Sequence, residues 1–145
     1  MNKERTKELI RVFNENNPIA RYIGMKLSFT DTGNAVIDLP YNPNLDHTFG
    51  AIHGGVYATM LDSAGSLTAA AIHDASCILA TSELTIHFLL PAKCTSLRAL
   101  GTILKSGSRQ DVVDARLFNE QGQLVGHAIG IFVAIPKRST LYLQQ

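Results

Sequence analysis

Residues 56–72 contain one charged side chain, Asp62, inside the stretch "HGGVYATMLDSAGSLTAAA" that begins at His53. Its composition reads as a helix. A helix on the surface of a soluble protein pairs an apolar stripe with a Lys/Glu/Arg face, and none is written here. Thr59, Asp62, Ser63, Gly65, Ser66 and Thr68 also leave it short of the twenty-residue apolar span of a membrane helix. A core helix covered on all sides is the remaining reading. The rest of the fold must be built to cover it.

The flanking segments supply the cover. Leu9, Ile10, Val12 and Phe13 give an amphipathic N-terminal helix within 1–17, expected to end at Asn17-Pro18 because proline disfavours helix in its predecessor. Residues 25–29 and 35–39 read as two strands joined by a turn at Asp31-Thr32-Gly33-Asn34, and 40–50 as a loop. After the helix, Ser82, Leu84, Ile86 and Phe88 alternate with Glu83, Thr85 and His87 in a half-buried strand pattern. Residues 95–105 and 110–118 form a hairpin around Ser106-Gly107-Ser108, and 124–135 a last strand before a tail at 136–145. About six strands around one long helix make a single α+β domain, 1–145.

Composition narrows the function classes. A net charge of +1 leaves no electrostatic footprint for nucleic acid or an anionic membrane. Charged residues are 17%, below the roughly 25% usual for soluble domains, so hidden surface in a homo-oligomer is expected. Cys77 and Cys94 have neither CxxC nor zinc spacing and read as reduced thiols. The charged, amphipathic N-terminus is unlike a signal peptide, so a cytoplasmic location is expected. His47, His53, His73, His87 and His127 lack metal-ligand spacing and accompany no paired carboxylates, and no phosphate-cradling glycine loop occurs. Neither metal nor cofactor is expected.

The order of elements, the HGG opening the helix, the Asp nine positions after that His, and "ELTIHFLLPAK" on the next strand resemble the hot-dog-fold acyl-CoA thioesterases. The likeness is nearest to the PaaI-like branch of the 4-hydroxybenzoyl-CoA thioesterase superfamily and runs over residues 18–135. It implies a helix wrapped by a curved antiparallel sheet, subunits pairing sheet edge to sheet edge as a dimer or dimer of dimers, and sites at the dimer interface. It implies hydrolysis of acyl-CoA thioesters without a cofactor. In the family the His before the glycines helps to hold the oxyanion site, the position of His53. A Ser or Thr hydroxyl assists the carboxylate, the position of Thr81. Close relatives carry an Asn six residues before that His; this chain has His47 there, a departure, although an imidazole N–H also donates to a carbonyl.

The residues give a chemistry of their own. Free N–H groups and a partial positive charge at a helix start make Gly54 and Gly55 an oxyanion hole in prospect, since no side chain blocks an approaching carbonyl. Two glycines also suit a tight turn. Asp62 has Ala58, Thr59, Gly65 and Ser66 as helical neighbours, none of them a cationic partner. A poorly solvated carboxylate suits a general base or nucleophile. The alternative is an Asp in solvent or one held by Ser66 or Thr59. Lys93, Lys105, Ser108 and Arg109 are candidates for the CoA phosphates, and Tyr57, Met60 and Phe49 for the acyl pocket. A hot-dog hydratase or dehydratase and a non-catalytic acyl-CoA binder stay open beside the thioesterase.

Overall fold

The computed structural model describes residues 2–137. Asn2 caps α1 (Lys3–Arg11) by accepting the Arg5 N–H at 3.2 Å. The helix then widens into a π-helical turn, Val12–Asn16. At Asn17 the chain is extended, as a residue before proline prefers, and α2 (Pro18–Ile23) starts with the proline at its first position. The N-terminal helix thus ends before Pro18, as the sequence predicts, and the proline opens a second helix that the sequence pattern did not mark. Gly24, at φ +95°, ends it in the left-handed region.

Strands β1 (Lys26–Phe29) and β2 (Ala35–Leu39) form the expected hairpin, and a short 3₁₀ turn, Pro43–Leu45, lies in the connection to α3 (Gly54–Ala70). Then follow β3 (Cys77–Phe88), β4 (Leu97–Ser106), β5 (Gln110–Asn119) and β6 (Leu124–Pro136). The sheet order is β1-β2-β4-β5-β6-β3, and every pairing is antiparallel. This is the hot-dog arrangement, with α3 lying across β2 to β6. Of the expected tail, 138–145 lie outside the described residues, and Pro136 closes β6.

Small residues let α3 lie close to the sheet. A methyl group on Gly101 of β4 would collide with Thr68 Oγ1 and the Ala64 carbonyl, and one on Gly65 would lie 2.5 Å from the Phe132 ring. Met60, Leu61 and Ala64 are fully buried in the core formed there, and Thr68 Oγ1 accepts the Ala35 N–H at 3.0 Å. The helix is not covered on all sides, however. Ala58, Thr59, Asp62, Ser63 and Ser66 stay half-exposed on the opposite face, although no charge other than Asp62 is there to solvate it.

The two sheet edges differ. On β1 the Asn14 side chain accepts the Leu27 N–H at 2.8 Å and donates to the Leu27 carbonyl at 3.2 Å, filling the edge as a strand residue would. At the other edge β3 runs for 12 residues with no strand beyond it among the described residues. A long uncovered edge is a template for pairing.

Candidate active site

Asp62 sits in the middle of α3, half-buried, and its Oδ1 accepts a hydrogen bond from Thr81 Oγ1 at 2.7 Å. The local alternative does not occur. Thr59 Oγ1 donates to the Gly55 carbonyl at 2.8 Å and Ser66 Oγ to the Ser63 carbonyl at 3.3 Å, leaving the carboxylate to a residue of β3. A β-bulge makes that contact. Thr81 is opposite Phe132 and Glu83 opposite Ile131, so Ser82 is the extra residue, its hydroxyl bonded to the Ile131 carbonyl. The extra residue reverses the strand's alternation, turning Thr81 towards α3 while Leu84 and Ile86 still face the core. Ser82, expected on the same face as Leu84, is displaced by the same bulge, and Phe88 is 59% exposed rather than half-buried.

The start of α3 is built by its own cap. His53 Nδ1 accepts the Gly55 N–H at 2.8 Å, and the His53 carbonyl accepts the Val56 N–H. An accepting Nδ1 carries no proton, so the ring proton is on Nε2. Of the two glycine N–H groups expected to be free, Gly55's is therefore taken by the cap. Gly54's has no acceptor among the described residues. A methyl group on Gly54 would come within 3.1 Å of the Phe88 ring, so glycine keeps this N–H approachable. His47 shares a pocket of about 250 Å³ with Gly54, Tyr57 and Phe88. Its Nδ1 accepts the Phe49 N–H at 3.1 Å, which leaves its Nε2–H as a donor. Tyr57 donates to the Leu90 carbonyl at 2.8 Å, and burial pushes its phenol above the ordinary tyrosine range, keeping it a neutral donor.

Within one chain the two halves stay apart. Asp62 and Thr81 open onto a groove of about 560 Å³ that Gly54 does not line. Eight residues of helix separate Gly54 from Asp62, a rise of about 12 Å. The phosphate candidates are also scattered. Lys93 follows Ala92, whose carbonyl accepts the Ile52 N–H near the start of α3. Lys105, Ser108 and Arg109 lie at the β4–β5 hairpin, whose Arg109 carbonyl accepts the Ala134 N–H at the other end of β3 and β6. All four are exposed. Of the acyl-pocket candidates, Met60 is fully buried in the core and Phe49 is 88% exposed.

Sequence reasoning missed three things. Phe13 and Ile19 of the N-terminal segment line the Asp62 groove, the amphipathic pattern marking Phe13 only as core-facing. Two imidazole–carboxylate pairs also exist, contrary to the expectation of unaccompanied histidines: His73 Nε2 lies 2.6 Å from Asp111 and His127 Nε2 2.6 Å from Asp114. Strand pairing and packing make these pairs across 38 and 13 residues, beyond any local motif. No group of three or more metal-ligating side chains occurs among the described residues.

Residues 49–126 match the family model of the thioesterase superfamily. The chain belongs to that superfamily. It is 30% identical over 124 residues to a Saccharolobus solfataricus protein named "Putative esterase", covering 86% of this chain and 88% of the relative. A Bacillus halodurans protein whose crystal structure is described as "with CoA" superposes with a TM-score of 0.79 at 25% identity, over 94% of this chain and 91% of that one. The PaaI protein of the E. coli phenylacetic acid degradation operon superposes with a TM-score of 0.80 at 23% identity, over 91% and 94%, which shows the shared fold. Thioesterase-family membership makes the chain a hydrolase with thioester hydrolysis as its general chemistry. No helix among the described residues is long and apolar enough to cross a membrane.

Proposed function

We propose that the protein is an acyl-CoA thioesterase working as a homodimer, with each active site shared between two antiparallel α3 helices. The observation that carries this reading is the separation of the site's halves. An oxyanion donor acts at about 3 Å from the carbonyl oxygen, and an attacking group at about 3–3.5 Å from the carbon. Gly54 and Asp62 of one helix, about 12 Å apart, therefore cannot serve one thioester. A partner helix running alongside in the opposite direction brings its Gly54 to this chain's Asp62. The open β3 edge and the half-exposed face of α3, whose one charge is Asp62, support the same pairing.

In that site the Gly54 N–H and the helix dipole stabilise the carbonyl oxygen as it becomes an oxyanion, and His47, which lines the same pocket as Gly54, supplies its Nε2–H as a second donor. Thr81 orients Asp62 through Oδ1, leaving Oδ2 to the groove. As general base, Asp62 takes a proton from a water that attacks the carbon. The carbon–sulfur bond then breaks, and the thiolate of CoA leaves to be protonated. As nucleophile, Asp62 attacks the carbonyl carbon and displaces the CoA thiolate, which is then protonated, and water opens the resulting mixed anhydride to the free acid and Asp62. Both routes give the free acid and CoA. The CoA in the Bacillus halodurans structure supports this thiol carrier. The test is a panel of short-chain, long-chain and aryl acyl-CoAs followed by free-thiol release. Turnover on at least one class is expected; tight binding with no thiol released across the panel would point to a non-catalytic acyl-CoA module instead.

A further inference from the structure

His87 and His127 are direct partners across β3 and β6 and stand on the outer face of the sheet, away from α3. Gly126 and Ala128, on either side of His127, turn the other way. A methyl group on Gly126 would meet the Tyr57 ring, and Ala128 belongs to the core. Pairing along the β3 edge continues the sheet beside the two imidazoles and leaves this face open. They are 40 residues apart in sequence, so no ligand spacing marks them.

The rings are near-parallel, at 18° with centroids 5.7 Å apart, and they face each other through their Nδ1 atoms at 3.4 Å. What sets His127 in this state lies behind it. Asp114 is 9% exposed and accepts the His127 Nε2–H at 2.6 Å. Arg116 Nε donates to the other oxygen at 2.8 Å, so both carboxylate oxygens act as acceptors. The shared proton therefore belongs to the imidazole, and in the neutral ring Nδ1 is a bare lone pair. A carboxylate behind one imidazole nitrogen is the arrangement that orients metal-bound histidines.

The distance decides what suits the gap. N–H hydrogen bonds run to about 3.2 Å, so 3.4 Å is long for one imidazole donating to the other. Two nitrogens each about 2.0–2.1 Å from one tetrahedral ion lie about 3.3–3.4 Å apart. In a square-planar ion the same bonds would set neighbouring nitrogens only about 2.8–3.0 Å apart.

We propose that His87 and His127 bind a tetrahedral divalent transition ion such as Zn²⁺ through the Nδ1 of each ring, with water in its remaining positions. Imidazole nitrogen suits Zn²⁺ and not a hard ion such as Mg²⁺. His87 is exposed, which lets its ring turn to aim its lone pair at the ion and gives the ion a path from solvent. Asp114 is a positioning residue that fixes the tautomer and ring of His127 without touching the ion. Arg116, the strand neighbour of His127 on β5, has its charge matched by Asp114. Every residue named lies in one chain, so the site stands apart from the thioesterase and dimer readings.

The test is isothermal titration of ZnCl₂ into metal-stripped protein carrying Cys77→Ser and Cys94→Ser, which removes the thiols as competing ligands, with MgCl₂ as the control. Uptake of one Zn²⁺ per chain and no Mg²⁺ is expected. Asp114→Asn is expected to lose about 10- to 100-fold in Zn²⁺ affinity, the cost usual for an outer partner of a metal-bound histidine, and His87→Ala at least as much. Long-range ¹H–¹⁵N NMR of the imidazoles identifies the nitrogens. Zn²⁺ is expected to move the Nδ1 signals of both His87 and His127, and Asp114→Asn to show both tautomers of His127. His87→Ala changes an exposed side chain and so decides the matter even if Asp114→Asn does not fold. No Zn²⁺ uptake by the parent protein, equal uptake by His87→Ala, or NMR shifts confined to other histidines would overturn the site and leave an imidazole–imidazole hydrogen bond only. A folded Asp114→Asn that binds as tightly as the parent would overturn the positioning role.

Discussion

Asp62 and Thr81 form the contact on which the proposed chemistry turns, and it joins residues 19 apart in sequence across a helix and a strand. If Asp62 is the base or nucleophile, Asp62→Asn keeps the Thr81 hydrogen bond and the fold but loses roughly 10²–10⁴ in kcat. Thiol release by the purified variant on its best substrate checks this; activity within about tenfold of wild type would remove Asp62 from the mechanism. His47 is expected to act as a donor through Nε2–H. His47→Asn, which restores an amide donor, should retain or raise activity, and His47→Ala should lower it. Equal rates for Ala and wild type would show that the position donates nothing to the reaction. Tyr57→Phe removes the donor to the Leu90 carbonyl and leaves that acceptor unpaired, so a stability loss of about 1 kcal/mol in urea unfolding is expected.

At the scale of elements, much was legible because much of the pattern is local. The uncharged stretch gives α3, the Ser106-Gly107-Ser108 turn gives the β4–β5 hairpin, and residues 35–39 are β2 with the expected bounds. What escaped depends on contacts made far along the chain. The bulge at Ser82 reverses an alternation that looks continuous in sequence, and only the register against β6 reveals it. Pro18 reads equally as a helix end and a helix start until Asn17 is seen capping α2. The pairing between chains was legible as an expectation, since eight helical residues already set Gly54 and Asp62 about 12 Å apart.

That pairing has a register. If Gly54 faces the partner's Asp62, the two-fold axis passes level with Ala58 on α3. On β3, Thr81 bonds Asp62 and Phe88 lies against Gly54, and the bulge adds one residue between them. Allowing for that extra residue, the strand's midpoint is Thr85, whose exposed side chain would stand opposite its own copy. Opposed residues in an antiparallel pair have Cα atoms about 4.5–5.5 Å apart, within disulfide reach. Thr85→Cys, with Cys77 and Cys94 changed to Ser, is expected to form a covalent dimer on mild oxidation. Glu83→Cys in the same background is not. Non-reducing gel electrophoresis reads the outcome, and crosslinking at 83 in preference to 85 would reject this register.

At the scale of the whole molecule, the proposed dimer requires that a single chain hold two half-sites and no complete one. A helix with so little charge needs no solvent face if the sheet covers one side and a second subunit the other. The decisive measurement mixes two inactive variants, Asp62→Asn and Gly54→Val, unfolds and refolds them together, and assays thiol release. The valine side chain at Gly54 would crowd the Phe88 ring and shield the N–H. In a mixed dimer one site carries both lesions and the other carries neither. Random pairing makes half the dimers mixed, each with one working site, so recovery of roughly a quarter of wild-type activity is predicted. Mixed dimers that form and stay inactive, or a fully active monomer in sedimentation at assay concentration, would contradict the account.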